Sequence, residues 1–431
     1  MKRFAHAVPV VLTLSLAAPE LCRAQATNGN SKLANILTDL YIDKAVTDAI
    51  IIADVFGSDA PADLLDQVFF AVEPAFQLNK LIGAQLTSFP MGSSAGGFSW
   101  TFDPTQGTFN RGSGSFGPAF AERALTVGRR RLNVGMNYQR ATFDSIENRK
   151  LRDGDVNFYI GACIDVDCGF GVFFEESLDL KLVTNTTGIF ATYGITDRLD
   201  VGVAVPIVHV DVEASLTGRV GTISQGIRPD ATEFRRSQSG SATGVGDIVV
   251  RAKYNFYRIP GGGLAAGVDW RLPTGDEENL LGVAGPQGKI YLAVSGARGR
   301  LSPHLNFGYT VSGDTAAGRS ETTAVFPPPD EWNYAGGVDV AASQRLTISG
   351  DVLGRDLRDI GGLVDTESPF GSNFRQFGFA DNANVNLLLG AVGAKYNVLG
   401  NALVAGNVLF PLNKAGLRDN LTWVFGLEYS F

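Results

Sequence analysis

The chain has 431 residues, with 36 Lys and Arg against 44 Asp and Glu, a formal net charge of −8. Gly occurs 52 times and Phe 28 times while only 19% of residues are charged, a balance that excludes a disordered chain. No Gly recurs at every third position, so the chain is not collagen-like, and no basic face interleaved with aromatics offers a nucleic-acid surface.

Lys2 and Arg3 precede an uncharged run from Phe4 to Pro19, and Ala24-Gln25-Ala26 supplies an A-x-A cleavage pattern. Residues 1–26 therefore read as a secretory signal peptide cut before Thr27. The apolar run is too short to span a bilayer, which takes about 20 residues. Cys22 lacks the small residues that precede a lipoprotein cysteine.

From Ser31 to about Ile82 the apolar spacing is helical: Leu33, Ile36, Leu37 and Leu40, then Leu64, Leu65, Val68, Phe69 and Val72. Ser31 suits a helix cap, Pro61 a first turn, and Pro74 a break. The segment is acidic, whereas a helix lying on anionic lipid is rich in Lys and Arg. Its apolar stripe needs another surface. Residues 27–96 are expected to form a small N-terminal helical plug inside a barrel, or else a periplasmic docking element.

From about Gly97 the period becomes two. Leu132, Val134, Met136 and Tyr138 alternate with polar or small residues, as do Leu264, Val268, Trp270 and Leu272. The same holds for Leu305, Phe307, Tyr309 and Val311, and for Trp423, Phe425, Leu427, Tyr429 and Phe431. Short connections near 128–130, 195–198, 258–262, 297–301, 342–345 and 398–400 alternate with long ones near 104–115, 146–175, 214–243, 276–287, 313–331, 357–383 and 412–420. Strict short/long alternation is the pattern of a transmembrane antiparallel β-barrel with periplasmic turns and extracellular loops. Strand starts near 97, 116, 131, 176, 199, 244, 263, 288, 302, 332, 346, 384, 401 and 421 give about 14 strands, so an all-β barrel is expected over residues 97–431.

Charged residues fall at inward positions of that alternation: Arg251, Lys253, Asp269, Arg271, Asp339, Asp351, Arg355, Lys395 and Glu428. They read either as a network that stiffens the lumen or as lumen-lining contacts for a substrate; with both signs interspersed they do not make a single-sign filter. Pro206 interrupts a strand, and a proline in a closed barrel demands a local break in the ladder, at the rim or as an opening through the wall. Arg129-Arg130-Arg131 reads as a periplasmic turn, and Gly244-x-Gly246 is no phosphate loop because no helix follows.

Cys163 and Cys168 in an exported chain are expected to form a disulfide, with a cation site from Asp165, Asp167, Glu175 and Glu176 as the rival. His209 and His304 fall near opposite ends of the barrel and cannot share a metal. No motif nominates a nucleophile with a base, a metal or a cofactor, so an enzyme is not expected.

The stretches Phe89-Pro90-Met91-Gly92-Ser93-Ser94, Gly96-Gly97-Phe98 and Thr101-Phe102-Asp103-Pro104 resemble the start of the barrel transporters of the phenol meta-pathway degradation group. So do Ser115-Phe116-Gly117-Pro118 with Ala121-Glu122-Arg123, Gly244-Val245-Gly246-Asp247, and Leu272-Pro273-Thr274-Gly275-Asp276. That group is similar to the fatty-acid and aromatic-hydrocarbon channels of the bacterial outer membrane. The resemblance implies a fourteen-stranded barrel, plugged by an N-terminal hatch, that admits hydrophobic molecules. Thr27-Asn28-Gly29 departs from the Asn-Pro-Ala start of those channels, so the hatch residues do not transfer position by position.

The expected function is passive uptake of small hydrophobic molecules, fatty acid or aromatic, across the bacterial outer membrane. The alternatives are a general diffusion porin and a surface adhesin or structural barrel. Expected partners are outer-membrane lipid, the substrate, and the barrel-assembly machinery, whose signal the terminal aromatic Phe431 resembles.

Overall fold

The computed structural model describes residues 32–41, 73–86, 97–103, 108–163, 170–224, 232–314, 327–367, 375–380 and 382–431. The signal segment, Cys168 and the helical positions from Lys44 to Val72 lie outside these residues, so the Cys163–Cys168 pairing stays an expectation.

Fourteen strands form one antiparallel sheet. In chain order they are β1 (Leu132–Phe143), β2 (Val156–Cys163), β3 (Phe170–Gly194), β4 (Leu199–Ser224), β5 (Thr232–Val245), β6 (Val249–Ile259) and β7 (Gly262–Arg271). They continue as β8 (Gln287–Ser295), β9 (Leu301–Ser312), β10 (Glu331–Ala341), β11 (Leu346–Leu357), β12 (Val385–Asn397), β13 (Ala402–Pro411) and β14 (Thr422–Ser430). Twelve of them close a ring in the order β3, β1, β14, β13, β12, β11, β10, β9, β8, β7, β6, β4, with β4 returning to β3. The first and last strands of the ring meet at a seam running from Trp423↔Arg140 to Ser430↔Asn133.

The ring is narrower than the expected fourteen, and it starts at Leu132 rather than Gly97. The strand starts expected near 97 and 116 belong to a segment inside the ring. Trp100–Asp103 pairs only with Thr108–Arg111. Phe116 is buried edge-on against Phe98, their centroids 5.5 Å apart. The two strands that bring the sheet back to fourteen are β2 and β5, which lie where long loops were expected. They flank an extension of β3 and β4: β2 pairs with residues 171–178 of β3, and β5 pairs with residues 207–220 of β4. Strands of 25 and 26 residues exceed the roughly 9–11 that cross a membrane, so this extension rises beyond the bilayer on the long-loop side. The apolar alternation continues through it at Leu178, Leu180, Leu182, Val210, Val212 and Leu216, all buried.

The outward face of the ring is an apolar band. Met136, Trp270, Ile290, Leu305, Phe307 and Trp423 all point away from the interior and are exposed, Ile290 by 66%. Among the described residues no helix is long and apolar enough to cross a membrane. The crossing is made by strands, as closed barrels require where no water can satisfy an open edge.

Two pieces of chain occupy the space enclosed by the ring and its extension. At the long-loop end, Leu33–Asn35 begins a helical stretch through residue 41, and a helix α1 (Glu73–Leu86) packs beside it. Leu33, Ile36, Leu37, Leu40, Leu78 and Leu81 are buried in one cluster with the β3–β4 extension. Asn79 Nδ2 donates to the Ala34 carbonyl at 2.6 Å and ties the two helical pieces together. At the short-turn end, residues 113–127 cross the ring. Phe116 N donates to Thr347 Oγ1, Ala124 N to Ser295 Oγ, and Val127 N to Asp200 Oδ2, at 2.9, 3.0 and 2.9 Å. These three backbone donors of an irregular segment each find an inward-facing side chain, which stands in for the ladder they lack.

The turn back into β1 brings the backbone close to itself. Gly128 holds φ +99, and a Cβ there would meet the Trp100 carbonyl at 2.6 Å. Arg131 stacks over the Trp100 ring at 5.1 Å and anchors this turn.

Candidate functional site

Between the α1 end above and the crossing segment below lies a lumen cavity of about 260 Å³. Gln85 and Leu86 reach it from the long-loop end, and Phe120 and Glu122 from the short-turn end. Gln85 is fixed there because its Oε1 accepts from Leu417 N at 2.6 Å and its Nε2 donates to the Leu81 carbonyl at 2.8 Å.

The cavity has two unlike walls. Phe143, Leu353, Leu387, Leu389 and Leu409, from β1 and β11–β13, line one side with Phe120 beside them. Arg251, Asp269, Arg271, Lys289 and Glu331, from β6–β8 and β10, line the other, with Arg355 of β11 at the boundary. Period-two alternation aims these strand side chains inward, and the order of strands round the ring sorts them into an apolar and a charged side, with Arg418 and Asp419 of the loop before β14 also on the cavity.

Most of the charges are matched. Arg251 donates to Asp269 Oδ2 at 3.0 Å and lies 3.5 Å from Glu122. Lys253, only 2% exposed, reaches Glu122 Oε2 at 3.2 Å. Arg355 is paired with Glu331. Lys289 Nζ sits 5.5 Å over the Tyr291 ring, and among the described residues no carboxylate lies within ion-pair reach of it.

Below the cavity, Lys395 donates to Glu428 Oε1 and to the Pro118 carbonyl, both at 3.1 Å. His304 is buried with Asp351 at 2.6 Å and Asp339 at 3.7 Å. All nine inward charges named from the sequence thus face the interior: Arg251, Asp269, Arg271 and Arg355 at the cavity, and Lys253, Asp339, Asp351, Lys395 and Glu428 around the crossing segment. Sequence reasoning missed Glu122, which binds two of them, because it assigned residues 116 onward to a ring strand. His209 stands apart and exposed in β4, hydrogen-bonded to Thr243 at 2.6 Å.

At Pro206 the ladder on one side of β4 changes partner. One side of β4 pairs with β6 over residues 199–204 and then with β5 over residues 207–220. Pro206 sits at the change of partner, where its carbonyl accepts from Gly246 N at 2.8 Å. In a strand the N–H and C=O of one residue face the same side, so the donor that proline lacks would have pointed into this break. The opposite side of β4 keeps its register with β3, Pro206 facing Gly188.

Two motifs meet at the break. Thr274 Oγ1 donates to the Gly246 carbonyl at 2.9 Å, and Asp247 accepts from Gly275 N at 3.0 Å and from Val283 N at 2.8 Å. The loop after β7 is thereby drawn into the wall, burying Leu280, Leu281 and Val283. Asn279 of the same loop accepts from Leu33 N at 3.5 Å, and Glu278 lies 3.3 Å from Lys32.

The family described as "Putative MetA-pathway of phenol degradation" matches residues 173–373. That stretch, just under half of the chain, is similar to this family. It runs from β3 past β11 and holds Pro206, both motifs and the charged wall. Among solved structures, an outer membrane channel from Pseudomonas putida F1 shares 14% identity, covering 72% of this chain and 98% of its own, with a TM-score of 0.44. A FadL homologue of Pseudomonas aeruginosa shares 11%, covering 80% and 99%, with a TM-score of 0.31. The toluene transporter of Ralstonia pickettii shares 11%, covering 70% and 90%, with a TM-score of 0.33. No curated protein matches the sequence. At these identities and scores, the functional reading rests on the lumen itself.

Proposed function

We propose that this chain is an outer-membrane channel for passive uptake of small hydrophobic molecules. The observation that carries this reading is the pairing of a partly apolar lumen cavity with chain at both ends of it. An open diffusion porin keeps a water-filled channel, whereas here residues 113–127 cross the short-turn end and the N-terminal helical residues cover the long-loop end. On this reading, residues 27–96 together with the crossing segment act as the plug. A substrate enters by displacing the end of α1 and rests against Leu387, Leu389 and Leu409. It leaves below or through the wall at Pro206, where one ladder has already ended. The names of similar structures, which include a toluene transporter, agree with this substrate class.

The experiment is uptake of labelled toluene and labelled fatty acid by cells with and without the protein, alongside single-channel recording. Substrate-dependent uptake with a nearly silent conductance is expected. Steady conductance with no selectivity would support the porin reading instead.

A further inference from the structure

The charged half of the cavity restricts what can rest there. A neutral hydrocarbon would cover Lys289 while offering it no acceptor, and burying a charge without a partner is costly. The apolar half sets the opposite condition, since a fully polar solute would leave Phe143, Leu387 and Leu409 against its own hydration shell. A ligand that meets both has a compact apolar body and a polar head at one end. The cavity, at about 260 Å³, lies below the volume of drug-sized sites, which begin near roughly 300 Å³, so the body is small.

The charge of the head follows from what the wall leaves over. Arg251 has Asp269 and Glu122, Lys253 has Glu122, and Arg355 has Glu331. Lys289 lines the cavity on β8, between Asp269 of β7 and Thr310 of β9 in the register. Asp269 is engaged by Arg251, Thr310 is neutral, and the Tyr291 ring beside Lys289 offers only its face. A cation that lines a cavity and has no carboxylate in reach among the described residues is a site for an incoming anion.

Resting on the uptake reading above, we propose that the cavity selects amphipathic anions, small aromatic carboxylates, and that Lys289 is the specificity-determining residue that takes the carboxylate. The ring then lies against Phe120, Phe143 and Leu409, across the cavity from the ammonium.

The test is calorimetric titration of the purified full-length protein with benzoate and with benzyl alcohol, its neutral counterpart. Benzoate should bind more tightly. Lys289→Gln should weaken benzoate by about tenfold or more, the effect of losing one charge-assisted hydrogen bond, while leaving benzyl alcohol unchanged. Lys289→Arg should keep most of the preference for benzoate. Equal binding of the two ligands, or a Lys289→Gln protein that binds benzoate as before or loses both ligands alike, overturns the assignment. Benzyl alcohol bound without benzoate overturns the anion preference and leaves the uptake reading standing, whereas binding of neither ligand overturns both.

Discussion

Glu122 Oε2 lies 3.2 Å from Lys253 Nζ, a contact that spans 131 residues of sequence and joins the segment inside the ring to its wall. Lys253 is buried, and Glu122 is its ion-pair partner among the described residues. Removing one member of a buried pair leaves the other charged and desolvated, at a cost of about 3–5 kcal/mol. Glu122→Ala should lower the unfolding midpoint accordingly and raise single-channel conductance as the segment loosens. The double variant Glu122→Ala/Lys253→Met should recover much of the stability, because no uncompensated charge remains. A single variant as stable as the parent would show that the pair does not hold the segment.

Gly246 leaves no room at the wall break. A Cβ there would stand 2.9 Å from the Leu281 carbonyl and 3.1 Å from both Pro206 and Val208. Gly246→Val should push the loop after β7 out of the wall, at about 1–3 kcal/mol for overpacking. Limited proteolysis should then cut between Leu272 and Val283 faster than in the parent, while the ring strands stay protected. An unchanged cleavage pattern would mean the loop is held by other contacts.

The outer surface carries a pH dependence. Glu147 opens a tight turn with Asn148, both at positive φ, and its carboxylate accepts from Gly416 N at 2.8 Å. Burial raises the Glu147 carboxyl above its usual range, against the opposing pull of the Gly416 bond and the Arg418 charge. A raised folded value means that the folded form holds its proton more firmly. The associated stability is therefore complete below the unfolded carboxylate range and is lost as pH rises through the folded value. Amide exchange in residues 145–150 should be slower at about pH 4 than at neutrality after correction for intrinsic rates. Glu147→Gln, which keeps an acceptor for Gly416, should flatten that difference.

Deletions separate the two coverings of the lumen. Removing residues 32–86 uncovers the long-loop end but leaves the bonds of 113–127 to Thr347, Ser295 and Asp200 in place. Conductance should rise less than when residues 113–127 are replaced by a short flexible linker. If the first deletion alone produces the full conductance of an empty ring, the crossing segment does not obstruct it.

The ring was legible from Leu132 onward because period-two alternation and short turns are local signals, and twelve expected strand starts fall at or within a few residues of ring strands. The expected starts at 97 and 116 failed for a physical reason. Phe98, Trp100 and Phe102 alternate as a strand does, and Trp100–Asp103 does pair with Thr108–Arg111. Whether a hairpin joins a ring or sits within it depends on partners hundreds of residues away, which alternation does not encode. The inward charges were legible one by one, but their sorting into a charged half and a match for Glu122 appeared only once the order of strands round the ring was known. The long β3 and β4 were hidden because Gly and charged residues in 214–243 read as loop, although Val212, Ala214 and Leu216 keep the alternation there.

The positions of the two interior pieces have a topological consequence for how the protein is made. The N-terminal helical residues lie at the far end of the barrel from Leu132, where β1 begins, and the seam that completes the cylinder joins β1 to β14, the latest strand made. Once that seam is zipped, the helices could reach their seat only by climbing a bore already crossed by residues 113–127. The economical order is the reverse: the amino-terminal part nests in the curved, still-open sheet, and the carboxy-terminal strand closes round it. In that order, zipping the β1–β14 seam from Trp423↔Arg140 to Ser430↔Asn133 is the step that would lock the helices in their seat.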